Sequence, residues 1–349
     1  MLIIIFIAIF VALVFDFVNG MNDAANSIAT IVSTRILSPR IAVIWAAFFN
    51  FSALFIFGVT VAKTVGNDII QSSIVTPYLV LSALLGAIIW AYFFCARFGI
   101  PVSSSHSLIG GLIGAAIAKS GFSGLVLATK AGGFLTTKIF VTLSFIVLAP
   151  VIGLILGYLV MVLTMWIARK SNPTRVDKVF RIGQLISSAA FSIGHGGNDA
   201  QKTMGIISML LYCAKDVPFV REYLYPYDEP KHVPYWVEIL ALSVIALGTL
   251  SGGMKIIKTM GMKITHLKPI GGFSAEIAGA VTLFGATSMG IPVSTTQTIG
   301  GAIMGVGTTK RFSAVRWGLA SNIILTWLLT IPSSAIIGAI SYFIISFFI

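Results

Sequence analysis

Charge is scarce in this chain of 349 residues, with Asp, Glu, Lys and Arg making up only 10% of it. A soluble domain carries about 25% charged residues, so the deficit excludes a water-soluble globular protein. Acidic side chains are the rarer sign, 11 against 23 basic ones. Cysteine is nearly missing. Cys95 and Cys213 stand alone in apolar segments, which excludes a disulfide framework or a thiolate metal centre and leaves core packing. Period-two alternation is also missing, which excludes a membrane barrel. What the chain does have is apolar residues, 57% of the total, in runs of membrane-spanning length. A helix of ~20 such residues crosses a bilayer. Residues 1–15 are apolar without a basic leading region, so they read as part of a retained helix rather than a cleaved signal. The net charge of +12 sits mostly in short links between apolar runs, where it orients the chain in a membrane and does not signal nucleic acid.

The apolar runs predict helices over 1–30, 41–63, 78–99, 104–118, 139–168, 182–213, 236–258, 273–290, 295–307 and 314–348. Pro150 and Pro332 fall inside two of them, where each removes a helical hydrogen bond and predicts a bend or break. The chain also repeats itself. Gly20-Met21-Asn22-Asp23-Ala24 returns as Gly196-Gly197-Asn198-Asp199-Ala200, and Gly99-Ile100-Pro101-Val102-Ser103 returns as Gly290-Ile291-Pro292-Val293-Ser294. Lys63-Thr64-Val65-Gly66 matches Lys258-Thr259-Met260-Gly261, and Pro150 matches Pro332. Four matches in one order mean duplication, with a first repeat over 1–168, a cytoplasmic link over 169–181 and a second repeat over 182–349. The polar, proline-bearing insertion 214–235 has no counterpart in the first repeat and predicts a loop.

Charge tests the relative orientation of the repeats. If 1–30 enters from outside and each Gly-Ile-Pro-Val-Ser segment forms a hairpin returning to its own side, the inner links hold 14 Lys and Arg and the outer links 7. The positive-inside rule therefore favours both termini outside and the halves inverted. The expected fold is an all-α integral membrane protein of two inverted-topology repeats, with discontinuous helices and two re-entrant hairpins.

Polar atoms at apolar depth are costly, so a duplicated set of them points to a site built from two halves. Asn22, Asp23 and Asn26 correspond to Asn198, Asp199 and Lys202, and Asn22 and Asn26 share one helix face. Gly20, Gly194, Gly196 and Gly197 precede the pairs and allow an unwound turn with exposed carbonyls. Carboxylate, amide and carbonyl oxygens suit a hard cation. Helix capping is the ordinary use of Asn and Asp, and the second copy weighs against it. Ser103, Ser104, Ser105 and Ser107 correspond to Ser294, Thr295, Thr296 and Thr298. A proline two residues before each cluster predicts a new helix starting at the hydroxyls, whose free N–H groups attract an anion. Capping and back-bonding inside a membrane helix is the alternative. The glycines that follow, Gly110, Gly111 and Gly114 with Gly300, Gly301, Gly305 and Gly307, read as close helix packing.

Three charged residues stay open. Arg97 either attracts anions or snorkels to a surface, Lys202 can oppose a carboxylate, and Glu276 serves either packing near the surface or proton coupling. A Ser105–His106 nucleophile and base would make an intramembrane hydrolase. Gln297 stands where the second copy would need the histidine, and adjacent residues on a helix are poorly placed for proton transfer.

The segments Asn19-Gly20-Met21-Asn22-Asp23-Ala24-Ala25-Asn26 and His195-Gly196-Gly197-Asn198-Asp199-Ala200-Gln201-Lys202 resemble the duplicated Gly-Ala-Asn-Asp-Val-Ala-Asn-Ala signature of inorganic phosphate transporters, the PiT family. The paired Gly-Ile-Pro-Val-Ser segments resemble it too, and the similarity covers essentially the whole chain. The resemblance implies symport of inorganic phosphate with a cation, sodium in first place and protons as the alternative. No organic cofactor is implied. It also implies inverted repeats with re-entrant hairpins in a prokaryotic plasma membrane, and a homodimer in the lipid bilayer. Phosphate would be held by Ser103, Ser104, Ser105, Ser294, Thr295, Thr296, Gln297 and Gln201. Sodium would be held by Asn22, Asp23, Asn26, Asn198, Asp199, Ser103 and Ser294, with Asp23 and Asp199 as the metal-binding carboxylates. Sulfate or another tetrahedral oxyanion is a rival cargo. Phosphate near neutral pH can donate a proton to a carboxylate, and sulfate cannot. Met21 and Ala24 depart from the signature at backbone-lining positions. Gln201 and Lys202 depart at ligand positions, so the second copy lacks a third oxygen and the halves need not bind alike. The short link 169–181 stands where some eukaryotic members carry a large loop.

Overall fold

The computed structural model describes every residue except 94–97, 128–132, 230, 253 and 349. Cys95 and Arg97 lie outside the described residues. The described chain is helical, and its only β pairing is one isolated antiparallel bridge between Ile70 and Leu125. Two long helices carry the Asn-Asp pairs: α1 spans Leu2–Ser33 and, further along the chain, α7 spans Pro173–Cys213. The second begins well before residue 182. Asn172 accepts a hydrogen bond from Thr174 N at 2.9 Å and Pro173 occupies the first helical position, two start signals inside the segment expected to be a link.

The glycines of the pairs do not unwind these helices. Both run unbroken through the motif. A methyl group on Gly20 would lie 2.2 Å from Ile245 O, and one on Gly196 would lie 2.3 Å from Asn50 O. The glycines instead let α1 close on α8 (Tyr235–Ser251) and α7 close on α2 (Pro39–Ser52). Small residues bring backbones together this way where lipid supplies no hydrophobic force between helices.

The runs expected as single helices over 41–63 and 236–258 both break. The chain after α2 turns through 87° into α3, Thr60–Asn67. After α8 it turns through 70° into α9, Met254–Lys258, which continues as a π-helical turn, Thr259–Lys263. Gly252 ends α8 at φ +60°, a left-handed conformation that favours glycine. An apolar run shows no periodicity at such a turn, so the break is silent in composition.

The two hairpins follow. The first joins α4 (Pro77–Tyr92) to α5 (Ser104–Ser120), and the second joins α10 (Pro269–Ser288) to α11 (Thr295–Thr308). Their turns match closely. Gly99 has φ +62° and Gly290 φ +67°, while Ser103 at φ −88°, ψ 108° mirrors Ser294 at φ −87°, ψ 112°. Each turn is pinned by the opposite half. Thr259 Oγ1 donates to Gly99 O at 3.1 Å, and Thr64 Oγ1 donates to Gly290 O at 2.8 Å. Those threonines belong to the matched Lys-Thr segments, so the bent helices serve to hold the hairpin turns.

Helices α6 (Lys138–Ala168) and α12 (Trp317–Phe347) run through Pro150 and Pro332 without a break. They cradle the hairpins crosswise, α12 against α5 and α6 against α11. A methyl group on Gly114 would meet Ala335 O at 1.9 Å, and one on Gly301 would meet Pro150 O at 2.1 Å, as close packing requires. Their outer faces expose Val147, Val151, Ile155, Ile336 and Ile340, apolar side chains suited to lipid. Four described helices are long and apolar enough to cross a membrane, or up to six with each bent pair taken as one span.

Candidate substrate and ion site

The middles of α1 and α7 meet the first turns of α5 and α11 at one buried centre. Asp23 and Asp199 face the second hairpin there. Thr295 Oγ1 lies 3.4 Å from Asp23 Oδ2 and 3.3 Å from Asp199 Oδ2, so one hydroxyl spans both carboxylates. Thr296 Oγ1 lies 3.2 Å from Asp23 Oδ1. Asn26 Nδ2 donates to Thr296 Oγ1 at 2.8 Å and Thr295 Oγ1 at 3.2 Å, while its Oδ1 has no hydrogen-bond partner among the described residues. Ser105 Oγ lies 3.2 Å from Val293 O and receives Lys202 Nζ at 2.5 Å. Lys202 also pairs with Asp199 Oδ1.

Helix starts supply the donors. Ser103 accepts from His106 N at 3.1 Å and Ser294 accepts from Gln297 N at 3.3 Å, which fixes where α5 and α11 begin. Ser107 and Thr298 each return a hydrogen bond of 2.9 Å to the carbonyl of the capping residue. Capping and back-bonding therefore do occupy part of each cluster. The remaining first-turn N–H groups, those of Ser104, Ser105, Thr295 and Thr296, have no carbonyl within their own helices to receive them.

Other expected ligands are committed to holding the fold. Asn198 Nδ2 donates to Thr287 Oγ1 at 2.9 Å and Ile291 O at 3.2 Å, and its Oδ1 accepts from Val293 N at 3.3 Å, so it clamps the second hairpin turn. Gln201 Oε1 accepts from Val61 N at 2.8 Å and Ala62 N at 3.3 Å, capping α3, while Nε2 donates to Gly197 O at 2.6 Å. Ser104 Oγ, Asn22 Nδ2 and both amide atoms of Gln297 are buried without partners among the described residues. Buried polar atoms are normally satisfied, so each of these atoms can still take a polar partner.

Two residues of the site were not foreseen. His195 Nε2 sits 3.3 Å from Asp199 Oδ2, with Nδ1 held 3.1 Å from Asn50 Oδ1. Asp23, His195 and Asp199 each offer a ligand atom, all within 4.8 Å of one another. The matching position in the first half is Asn19, whose amide has no partner among the described residues. Both precede their aspartate by four residues, one helical turn on the same face. That spacing was present in the sequence.

Glu276 lies deep rather than near a surface. Its Oε1 accepts from Thr30 Oγ1 at 2.5 Å and Gln184 Nε2 at 3.0 Å, and its Oε2 accepts from Ser187. The group links α1, α7 and α10 apart from the Asp23–Asp199 centre.

A sequence profile of the Phosphate transporter family matches residues 19–338. The chain belongs to that family. It is 53% identical to a probable low-affinity inorganic phosphate transporter of Rhizobium meliloti (strain 1021), over 95% of this chain and 94% of the relative. It is 41% identical to one of Bacillus subtilis (strain 168), over 99% and 98%. A solved structure described as the sodium-dependent phosphate transporter superposes with a TM-score of 0.83 at 25% identity, covering 99% of this chain and 100% of that one. The transporter is a multi-pass plasma-membrane protein, not an enzyme. The hydrolase alternative goes with that assignment, and Ser105 Oγ is engaged by Lys202 and Val293 O rather than by His106.

Proposed function

We propose that the transporter is a secondary symporter that moves inorganic phosphate with a cation, sodium in first place, by alternating access to the centre between Asp23 and Asp199. The observation that carries this reading is Thr295 at the first turn of α11, within reach of both carboxylates. An anion received by the first-turn N–H groups of α5 and α11 would lie beside two acids. Such an arrangement repels a bare oxyanion and accepts one accompanied by cations or carrying its own proton. Phosphate in its monohydrogen form satisfies both conditions. It would not cross ~30 Å of hydrocarbon unaided, so neutralising it and carrying it belong to one site. Asp23, Asn22, Asn26, Ser103 and Ser294 supply oxygens on the cation side, with Asp199 on the opposite helix. Ser104, Ser105, Thr295, Thr296 and Gln297 face the anion. Labelled-phosphate uptake into proteoliposomes, under an imposed sodium or proton gradient, tests the reading. Uptake indifferent to both gradients would end it.

Two further outcomes follow from the same arrangement. Ser105→Ala and Thr296→Ala should each weaken phosphate binding by about 1–2 kcal/mol, as for a lost hydrogen bond to a charged group. Sodium binding without phosphate should move less, as equilibrium dialysis would show. Inverted halves also require opposite labelling. Cysteines introduced at Lys119 and Glu222 should react with an impermeant reagent from outside, and those at Arg175 and Lys263 from inside. Labelling at 119 and 263 from one side would contradict the inversion.

A further inference from the structure

One matched pair of positions in the two halves of the centre does the same job with different chemistry. Asn26 and Lys202 each follow the aspartate of their own half by three residues. Each reaches across to the hairpin hydroxyl of the other half: Asn26 to Thr296 at 2.8 Å, Lys202 to Ser105 at 2.5 Å. Thr296 and Ser105 are themselves matched positions, so the two contacts are counterparts. The chemistry differs. Asn26 is neutral, brings no cation to Asp23, which meets the hydroxyls of Thr295 and Thr296, and keeps a buried carbonyl oxygen without a partner among the described residues. Lys202 is a cation that binds its own aspartate as well.

All three ammonium hydrogens of Lys202 have acceptors: Asp199 Oδ1, Ser105 Oγ and Val293 O, the last at 2.9 Å. The side chain is 1% exposed and Asp199 is 0% exposed. A buried ammonium is tolerated when it is paired and fully hydrogen-bonded. Lys202 thus sits on the second carboxylate as a small hard cation would, ringed by oxygens. Asp23, Asp199 and Lys202 together sum to one negative charge, and among the described residues Asp23 pairs with no lysine or arginine.

We infer that Lys202 is a resident counter-ion: its ammonium takes, in the second half, the place that a mobile coupling cation takes in the first. The transporter then needs one coupling cation fewer per phosphate than a centre with both halves open. The inference rests on the cation-coupled reading above and goes further by assigning how the charge is divided between protein and solute.

The test is the number of cations moved per phosphate. It is read in proteoliposomes from the membrane potential that just halts phosphate flux at fixed gradients. Lys202→Asn puts the first half's neutral amide at the matched position of the second and should raise the number by one. Sodium activation, if sodium drives the wild type, should steepen accordingly. Lys202→Arg, which keeps the charge, should leave the number unchanged if it transports. An equal number in the wild type and Lys202→Asn would overturn the inference while leaving symport intact. A wild type indifferent to every cation gradient would instead remove symport itself, and the inference with it. If Lys202→Asn does not fold or does not transport, radioactive sodium binding to the purified wild type and Asp23→Asn decides the matter. Loss of all phosphate-enhanced sodium binding in Asp23→Asn supports one mobile site. Retention of about half would overturn it.

Discussion

Asp23→Asn is expected to cut cation-driven phosphate uptake by about 100-fold or more, while the protein stays folded. Asp23 is the acid of the centre that meets the hydroxyls of Thr295 and Thr296 and, among the described residues, no lysine or arginine. A hydrogen bond to a charged group contributes about 1.5–3 kcal/mol, and about 2.8 kcal/mol is a hundredfold in binding. Replacing the carboxylate with an amide of the same shape removes the charge that a cation answers and spares the packing of α1. Burying an unpaired carboxylate is itself costly, so the variant should be as stable as the wild type in the absence of solutes. Uptake by purified, reconstituted protein measures the effect, and thermal unfolding in detergent separates it from misfolding. Uptake within a fewfold of wild type would remove Asp23 from the coupling step.

Asp199→Asn should behave differently, although the two aspartates occupy matched positions. Removing its charge strands the Lys202 ammonium among Ser105, Val293 O and an amide, with no carboxylate in contact. Breaking a buried ion pair from one side costs about 3–5 kcal/mol. A lowered unfolding temperature and poor yield are therefore expected, beyond any loss of transport. The double variant Asp199→Asn with Lys202→Met removes both charges and should recover much of the stability. Equal stability of Asp23→Asn and Asp199→Asn would show that the halves carry their charges alike.

The duplication was legible because the chemistry is carried by short, dense motifs. Asn-Asp pairs and Pro-Val-Ser segments return intact even where the apolar residues between them have drifted. The glycine faces of the hairpins were legible for the same reason, since small residues at helical spacing have one dominant use in a membrane. The bends after α2 and α8 were not, because an apolar run carries no polar face to mark a turn. The glycines beside the Asn-Asp pairs misled for a related reason. Gly20 and Gly196 permit either an unwound turn or a close helix contact, and the partner backbones that decide it, Ile245 and Asn50, are distant in sequence. Lys202 shows the limit most clearly. Its spacing from Asp199 predicts a local pair. Its second partner, Ser105, lies 97 residues away on a hairpin of the other half. The burial of Glu276 between α1 and α7 likewise depends on packing that a single helix does not reveal.

The most direct test of the shared centre is the thermodynamic linkage between its two solutes. If one site holds both, sodium must raise the affinity for phosphate, and phosphate must raise the affinity for sodium by the same factor. Equilibrium binding of labelled phosphate to the purified transporter, titrated at several sodium concentrations, gives one factor. The reciprocal titration with labelled sodium gives the other. The expected result is a large, equal factor in the wild type that collapses toward one in Asp23→Asn. Phosphate binding that ignores sodium in the wild type, or a factor that survives intact in Asp23→Asn, would contradict a centre in which Asp23 joins cation to anion.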